Sequence, residues 1–299
     1  MIRYVRHSGI DMAAWDARLE RCANKLWYGS SSVLSAAAPG WDALIDEENG
    51  TQMALPWRTK YGITYAYQPF LLQQLGPFAV RPSPEDTSRH IAALPPHIRF
   101  ADIYLCPGTS APPLLTEQQN ITFPLNATVE ALRKRYSENH RRTLKKTEKA
   151  AAGWDAQVPV STITGFLLRS EQFERWGIKP AQAAALTRIL SQADALGHGF
   201  GCGVRVGEEL VCAAYFIRWG GRLIFLKGLA NQAGRAIHAM HFLIDRVISE
   251  HAGQDLVFDF AGTNDPDLSR FYMGFGGERS VYLRALVNKL PFPLNLLRT

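Results

Sequence analysis

The amino-acid sequence predicts an α/β protein of two domains, residues 1–124 and 125–299, each a mixed, mainly antiparallel sheet flanked by helices. Three observations lead there. A chain of 299 residues exceeds the usual reach of one hydrophobic core. Period-two runs bounded by Gly and Asn alternate with period-3.6 stretches in both halves. Between the halves lies a single basic stretch, RKRYSENHRRTLKKTEK at 133–149, with eight Lys or Arg against two Glu; the whole chain carries a formal +6, so the remainder is electrically balanced.

In the first half, Met12, Trp15, Leu19, Cys22, Ala23 and Leu26 recur every three or four residues, which predicts a helix over 11–28 with Asp11 as its N-cap. Strands are expected around Trp41 to Ile45, Gln52 to Arg58 and Ile63 to Tyr67, with EENG as a hairpin turn. PSPEDTSRHIAALP reads as a short helix between prolines, ADIYLCP as a strand, and Pro107 to Pro113 as loop.

The basic stretch follows as one helix. Leu132, Tyr136, His140, Leu144 and Thr147 form its docking stripe, and the bases take the remaining circumference. Like charges at i+4 repel, so an anionic partner would relieve the helix; a plain solvated face is the alternative. Beyond it the second half reads as three antiparallel strands, Gly203 to Val206, Glu209 to Arg218 and Arg222 to Leu229, joined by GEE and WGG turns. A helix then buries Met240, Leu243, Ile244, Val247 and Ile248 and stops at Gly253. The strand QDLVFDFAG, the short helix DPDLSRFYMGF and the strand RSVYLRALVN complete the order.

Composition excludes several classes of function. Apolar residues at 46% with 20% charged describe a globular chain, not a disordered one. The first thirty residues lack the apolar run of a signal peptide, and no uninterrupted apolar segment reaches the ~18 residues of a membrane span. Cys22, Cys106, Cys202 and Cys212 form no CxxC pair, and His238 with His241 lack further ligands, so neither a disulfide framework nor a metal site is expected and the compartment is expected to be cytoplasmic. Sequence-specific DNA binding is not expected either, because the basic stretch offers only Tyr136 and His140 for stacking. Its apolar stripe is too thin to insert in a bilayer, which leaves peripheral contact with anionic lipid open.

Two phrases can carry chemistry. NQAGRA at 231–236 places small residues at a strand-to-helix turn, where backbone can approach an anion and free N–H groups face it. FDFAGTNDPDLSRFYMGFGGE sets Tyr272 on a helix soon after a strand. The order meander, helix, strand, helix, strand, with these two phrases, resembles the GNAT acyltransferase fold. In that family the turn receives the pyrophosphate of acyl-coenzyme A; the resemblance assigns this to Asn231, Gln232, Ala233, Gly234, Arg235 and Ala236, with Asn231 where the family has Gln or Arg. It likewise assigns Tyr272 the role of the acid that protonates the leaving thiolate, and Asp259 or Asp265 that of helping to deprotonate the amine.

QPFLLQQLGPF, LNATVEALRKRYSENHRRTLKKTEKAAAGW, GRAIHAMHFLIDRVI, DFAG and SRFYMGFGG together resemble the tandem-GNAT group of Fem-type aminoacyl transferases and related bacterial Fem-like acetyltransferase domains. That resemblance implies two GNAT-like domains, with the acceptor taken between them by Trp41, Gln68 and Gln73 and with Arg141, Arg142, Lys145 and Lys146 attracting an anionic substrate. Fem-type members take aminoacyl-tRNA as donor. Here Tyr272 replaces the lysine of their Phe-Lys-x-x-Phe-Gly phrase and no coiled-coil arm is inserted, which favours acyl-coenzyme A and a small-molecule or peptide amine. The other readings are an aminoacyl-tRNA-dependent transferase and a non-catalytic module that binds an anionic partner through residues 133–149.

Overall fold

The computed structural model describes residues 1–108, 115–147 and 152–297. The chain forms two compact units, Met1–Gln118 with Val281–Thr299, and Gln119–Ser280. The division falls after Gln118 and again after Ser280, not at 124/125, because the last strand pairs with the first unit.

The first unit begins with β1 (Arg3–Val5), α1 (Met12–Arg21), α2 (Ser31–Ala37), β2 (Trp41–Asp46), β3 (Thr51–Lys60), β4 (Ile63–Tyr67), β5 (Phe78–Ala79), α3 (Asp86–Ala92) and β6 (Ile98–Leu105). Its sheet runs β1-β2-β3-β4-β6, with β5 on β3. β4 and β6 are parallel and the other pairs antiparallel. Asp11 caps α1 by accepting from Ala14 N at 3.0 Å, as its sequence position implies. The helix stops at Arg21 instead of running to 28, because the next residues bond to β5: Ala23 N donates to Ala79 O at 2.9 Å and Asn24 bridges Pro77 O and Ala79 N. Residues 109–113 of the expected loop lie outside the described residues.

The chain enters the second unit within β7 (Leu115–Pro124) and continues through α4 (Val129–Lys134), α5 (Glu138–Thr147), β8 (Gly153–Asp155), α6 (Val160–Leu168), α7 (Glu171–Arg175), α8 (Pro180–Ala195), β9 (Gly199–Val206), β10 (Glu209–Trp219), β11 (Arg222–Ala230), α9 (Gln232–Ala236), α10 (Ala239–Glu250), β12 (Val257–Asp259) and α11 (Pro266–Met273). The sheet order is β7-β12-β11-β10-β9-β8, with β11 and β12 parallel and the rest antiparallel. Alternation along β10 feeds two layers. Cys212, Ala214 and Phe216 join the core built with Leu243, Ile244 and Val247 of α10, while the Tyr215 hydroxyl donates to Leu190 O on α8. A last strand, β13 (Glu278–Asn288), leaves the second unit and pairs with β6, Leu283 against Leu105 and Val287 against Ala101.

The basic stretch is two helices, not one. Ser137 breaks it by capping the second: its Oγ accepts from His140 N at 3.2 Å, and its own N donates to Gly274 O at 2.8 Å. The docking stripe is as the spacing implies, since Leu132, Tyr136, His140, Leu144 and Thr147 are all buried. Lys149 lies outside the described residues.

Candidate functional site

The second unit contains a fork. β12 pairs with β11 only over Arg222–Ile224 against Val257–Asp259. There β12 ends, because the Asp259 carboxylate draws in Ala261 N at 2.9 Å and the chain turns through positive φ at Ala261 and Gly262. β11 runs on to Ala230 with β10 on one side only. Among the described residues the backbone of Phe225–Leu229 makes no hydrogen bond except to β10, so every second peptide group of that edge faces the opening.

Tyr272 lies where the strands part. Its ring stacks on Phe260, just past β12, at 4.3 Å between centroids and meets Phe225, the first residue of β11 beyond its pairing with β12, edge-on at 6.2 Å. It is 5% exposed, and burial pushes its phenol well above the ordinary range, so the hydroxyl holds its proton.

At its far end β11 leads into α9 and a concavity of about 540 Å³ lined by Asn231, Gln232, Ala233, Arg235 and Ala236 with Arg169 and the start of α7. Arg169 makes no ion pair among the described residues. Gln232 and Ala233, the first helical residues, present N–H groups with no acceptor inside the helix. Gly234 does not. Its N–H donates to Asn231 Oδ1 at 2.8 Å, and a Cβ there would lie 2.2 Å from the Val211 carbonyl oxygen. The glycine is therefore required for the close seat of α9 on β10, and its amide is already used. Arg235 Nη1 donates to Ala230 O at 2.9 Å, which ties the turn. Tyr272 does not line this concavity; the fork and the turn are successive stations along β11.

Several expected site residues are structural. Asp259 is fully buried and accepts from Arg222 at 2.8 Å, Asn120 at 3.1 Å and Ala261 N, so its lone pairs are spoken for and it is no free base. Asp265 caps α11 through Asp267 N and Leu268 N. Trp41 is fully buried against Trp15 and His7, so it touches no acceptor there. Gln68 locks its own turn, donating to Leu72 O and accepting from Tyr104 N. Gln73 is buried and accepts from Gln74.

The basic face is also largely committed. Arg133 pairs with Asp245, Arg135 with Glu278 and Arg142 with Glu138, while Arg141 donates to the carbonyls of Lys134 and Tyr136. Of the four bases expected to attract substrate, Lys145 and Lys146 alone face outward without such a bond among the described residues. Among the described residues no group of His, Cys, Asp and Glu could hold a metal, and no helix is long and apolar enough to cross a membrane. His140 and His241, 4.7 Å apart between ring centroids, pack with Phe271 and Phe275 under α5, α10 and α11.

One residue escapes the motif reading. Lys227 is the cross-strand partner of Tyr215, so it projects to the α6–α8 side of β11, where its ammonium lies 3.9 Å from the ring centre of Trp176 and 5.7 Å from that of Phe173. Burial brings it down to about 8. The signal was a lone lysine within the apolar run LIFLKGLA.

No family model and no curated protein matches the sequence. Solved structures do. FemX matches with a TM-score of 0.66 at 12% identity over 99% of each chain. A conserved protein of unknown function from Bacteroides thetaiotaomicron matches at 0.58, with 11% identity over 96% of this chain and all of that one. L-PGS from Bacillus licheniformis matches at 0.50, with 11% identity over 96% and 95% of the two chains. Likeness across the full length gives the chain the mixed α/β fold seen in FemX and L-PGS.

Proposed function

We propose that the protein is an N-acyltransferase that moves an acyl group from acyl-coenzyme A to an amine acceptor. The observation that carries this reading is the unpaired edge of β11, which opens opposite the end of β12 and leads to the α9 turn. The pantetheine arm of coenzyme A is an extended chain with two amides, and amides complement a strand edge as an added peptide strand does. An aminoacyl ester on tRNA offers no such arm. At the far end the coenzyme diphosphate meets Arg169, Arg235 and the amides of Gln232 and Ala233. Near the fork, N–H groups of the edge are available to the oxyanion formed when the amine attacks the thioester. The Tyr272 phenol, held protonated, supplies the proton to the departing thiolate.

Calorimetric titration with acetyl-coenzyme A, together with thiol release in the presence of a panel of amines, tests this. Micromolar binding is expected. Tyr272→Phe should keep that affinity and lower turnover by about 10²-fold or more, the usual contribution of a positioned acid. Absence of acetyl-coenzyme A binding sinks the reading, and binding of aminoacyl-tRNA in its place would hand the site to the aminoacyl donor.

A further inference from the structure

Lys227 belongs to the stretch of β11 that lies beyond the fork, three residues before the concavity at Ala230. Its surroundings differ from those of the exposed Lys145 and Lys146. It is half-buried, forms no ion pair among the described residues, and rests on the faces of Phe173 and Trp176. Trp176 follows α7, whose first residues line the concavity, so one short helix walls both the lysine and the donor turn. The opposite face of β11 is closed by Phe225 and Tyr272. A donor arm along the edge of β11 therefore has a phenol on one face and a primary amine on the other.

We infer that Lys227 is a covalent acylation site of this protein: in the absence of an external amine, its side chain takes the acyl group from the bound thioester. The inference rests on the donor reading above. Burial brings the amine down to about 8, so a useful fraction is neutral in mildly alkaline buffer. The neutral nitrogen attacks the thioester carbon, the C–N bond forms and the C–S bond breaks. The departing thiolate takes the proton that the nitrogen loses. The products are an Nε-acyl-lysine and the free coenzyme thiol, with no other reactant consumed.

The test uses the full chain and acetyl-coenzyme A, with peptide mass mapping of every lysine. Acetyl occupancy at Lys227 should exceed that at the exposed Lys145 and Lys146 by roughly tenfold or more. It should saturate with acetyl-coenzyme A, rise through a midpoint near pH 8 and fall when free coenzyme A competes. Trace labelling with acetic anhydride should reproduce the midpoint without any bound donor, and Lys227→Arg should remove the labelled peptide while calorimetric affinity persists. Equal labelling of all lysines, or labelling of Lys227 that grows linearly without saturation, overturns the inference. If acetyl-coenzyme A binds and Lys227 stays unlabelled, the inference falls and the donor reading stands; if it does not bind, both fall.

Discussion

A glycine, an aspartate and a tryptophan show how residue type alone misdirects. Gly234 fits an anion nest by composition, yet its Cα faces the Val211 carbonyl and its N–H belongs to Asn231. Gly234→Ala should therefore cost about 2 kcal/mol of stability from overpacking, visible as a lower denaturant midpoint with no donor present. A loss of donor affinity with stability unchanged would restore the nest. Asp259 is a strand-end carboxylate of the kind that serves as a base, but three donors converge on it, and removing such a buried partner leaves Arg222 uncompensated. Trp41 is large and aromatic, which suits a ligand platform as well as a core; Trp15 and His7 decide for the core. Lys227 runs the other way, since a single charge in an apolar strand was visible in the sequence and only its aromatic neighbours give it meaning.

Secondary elements were read more securely than residues, because they rest on periodicity. β2 to β4, β10, β11 and α10 fall where alternation and 3.6-residue spacing place them, β9 begins at Gly199 instead of Gly203, and α10 buries Leu243, Ile244, Val247 and Ile248. Failures came where a tertiary bond outweighed a local pattern, as where Asn24 binds Ala79 N past the end of α1 and Ser137 N binds Gly274 O at the break in the basic stretch. The junction of α5, α10 and α11 carries a testable consequence. His241 is brought down to about 3 by burial, then by His140 and His238, and His140 is lowered by burial too. Below its ordinary pKa of 6.5 the unfolded histidine binds a proton that the folded one refuses until about pH 3, so stability falls as pH drops through that window. One such group contributes a slope of up to about 1.4 kcal/mol per pH unit. Urea titrations between pH 7 and 4 should show it, and His241→Phe should flatten it; identical slopes in both proteins would remove His241 from the account.

At the scale of the whole molecule, the chain closes by returning. β13 leaves the second unit and lays Leu283, Ala285 and Val287 beside Leu105, Ile103 and Ala101 of β6. Truncation after Ser280 should expose the β6 edge and make the protein aggregate or lose its first cooperative transition, measured by light scattering and calorimetry. A truncated chain that stays monomeric with an unchanged melt would show that β13 is dispensable. By itself the sequence determined the α/β class, the strand and helix order from β9 to β13, the docking stripe of the basic stretch and the place of the strand-to-helix turn, all of which follow from periodicity and turn chemistry within about twenty residues. Tertiary structure alone decided that β11 outruns β12, that Tyr272 sits across the fork, that most bases of 133–142 are answered by carboxylates or carbonyls, and that the last strand joins the first unit. Those outcomes depend on which distant groups meet, and the energies that choose among partners belong to contacts, not to any one stretch of chain.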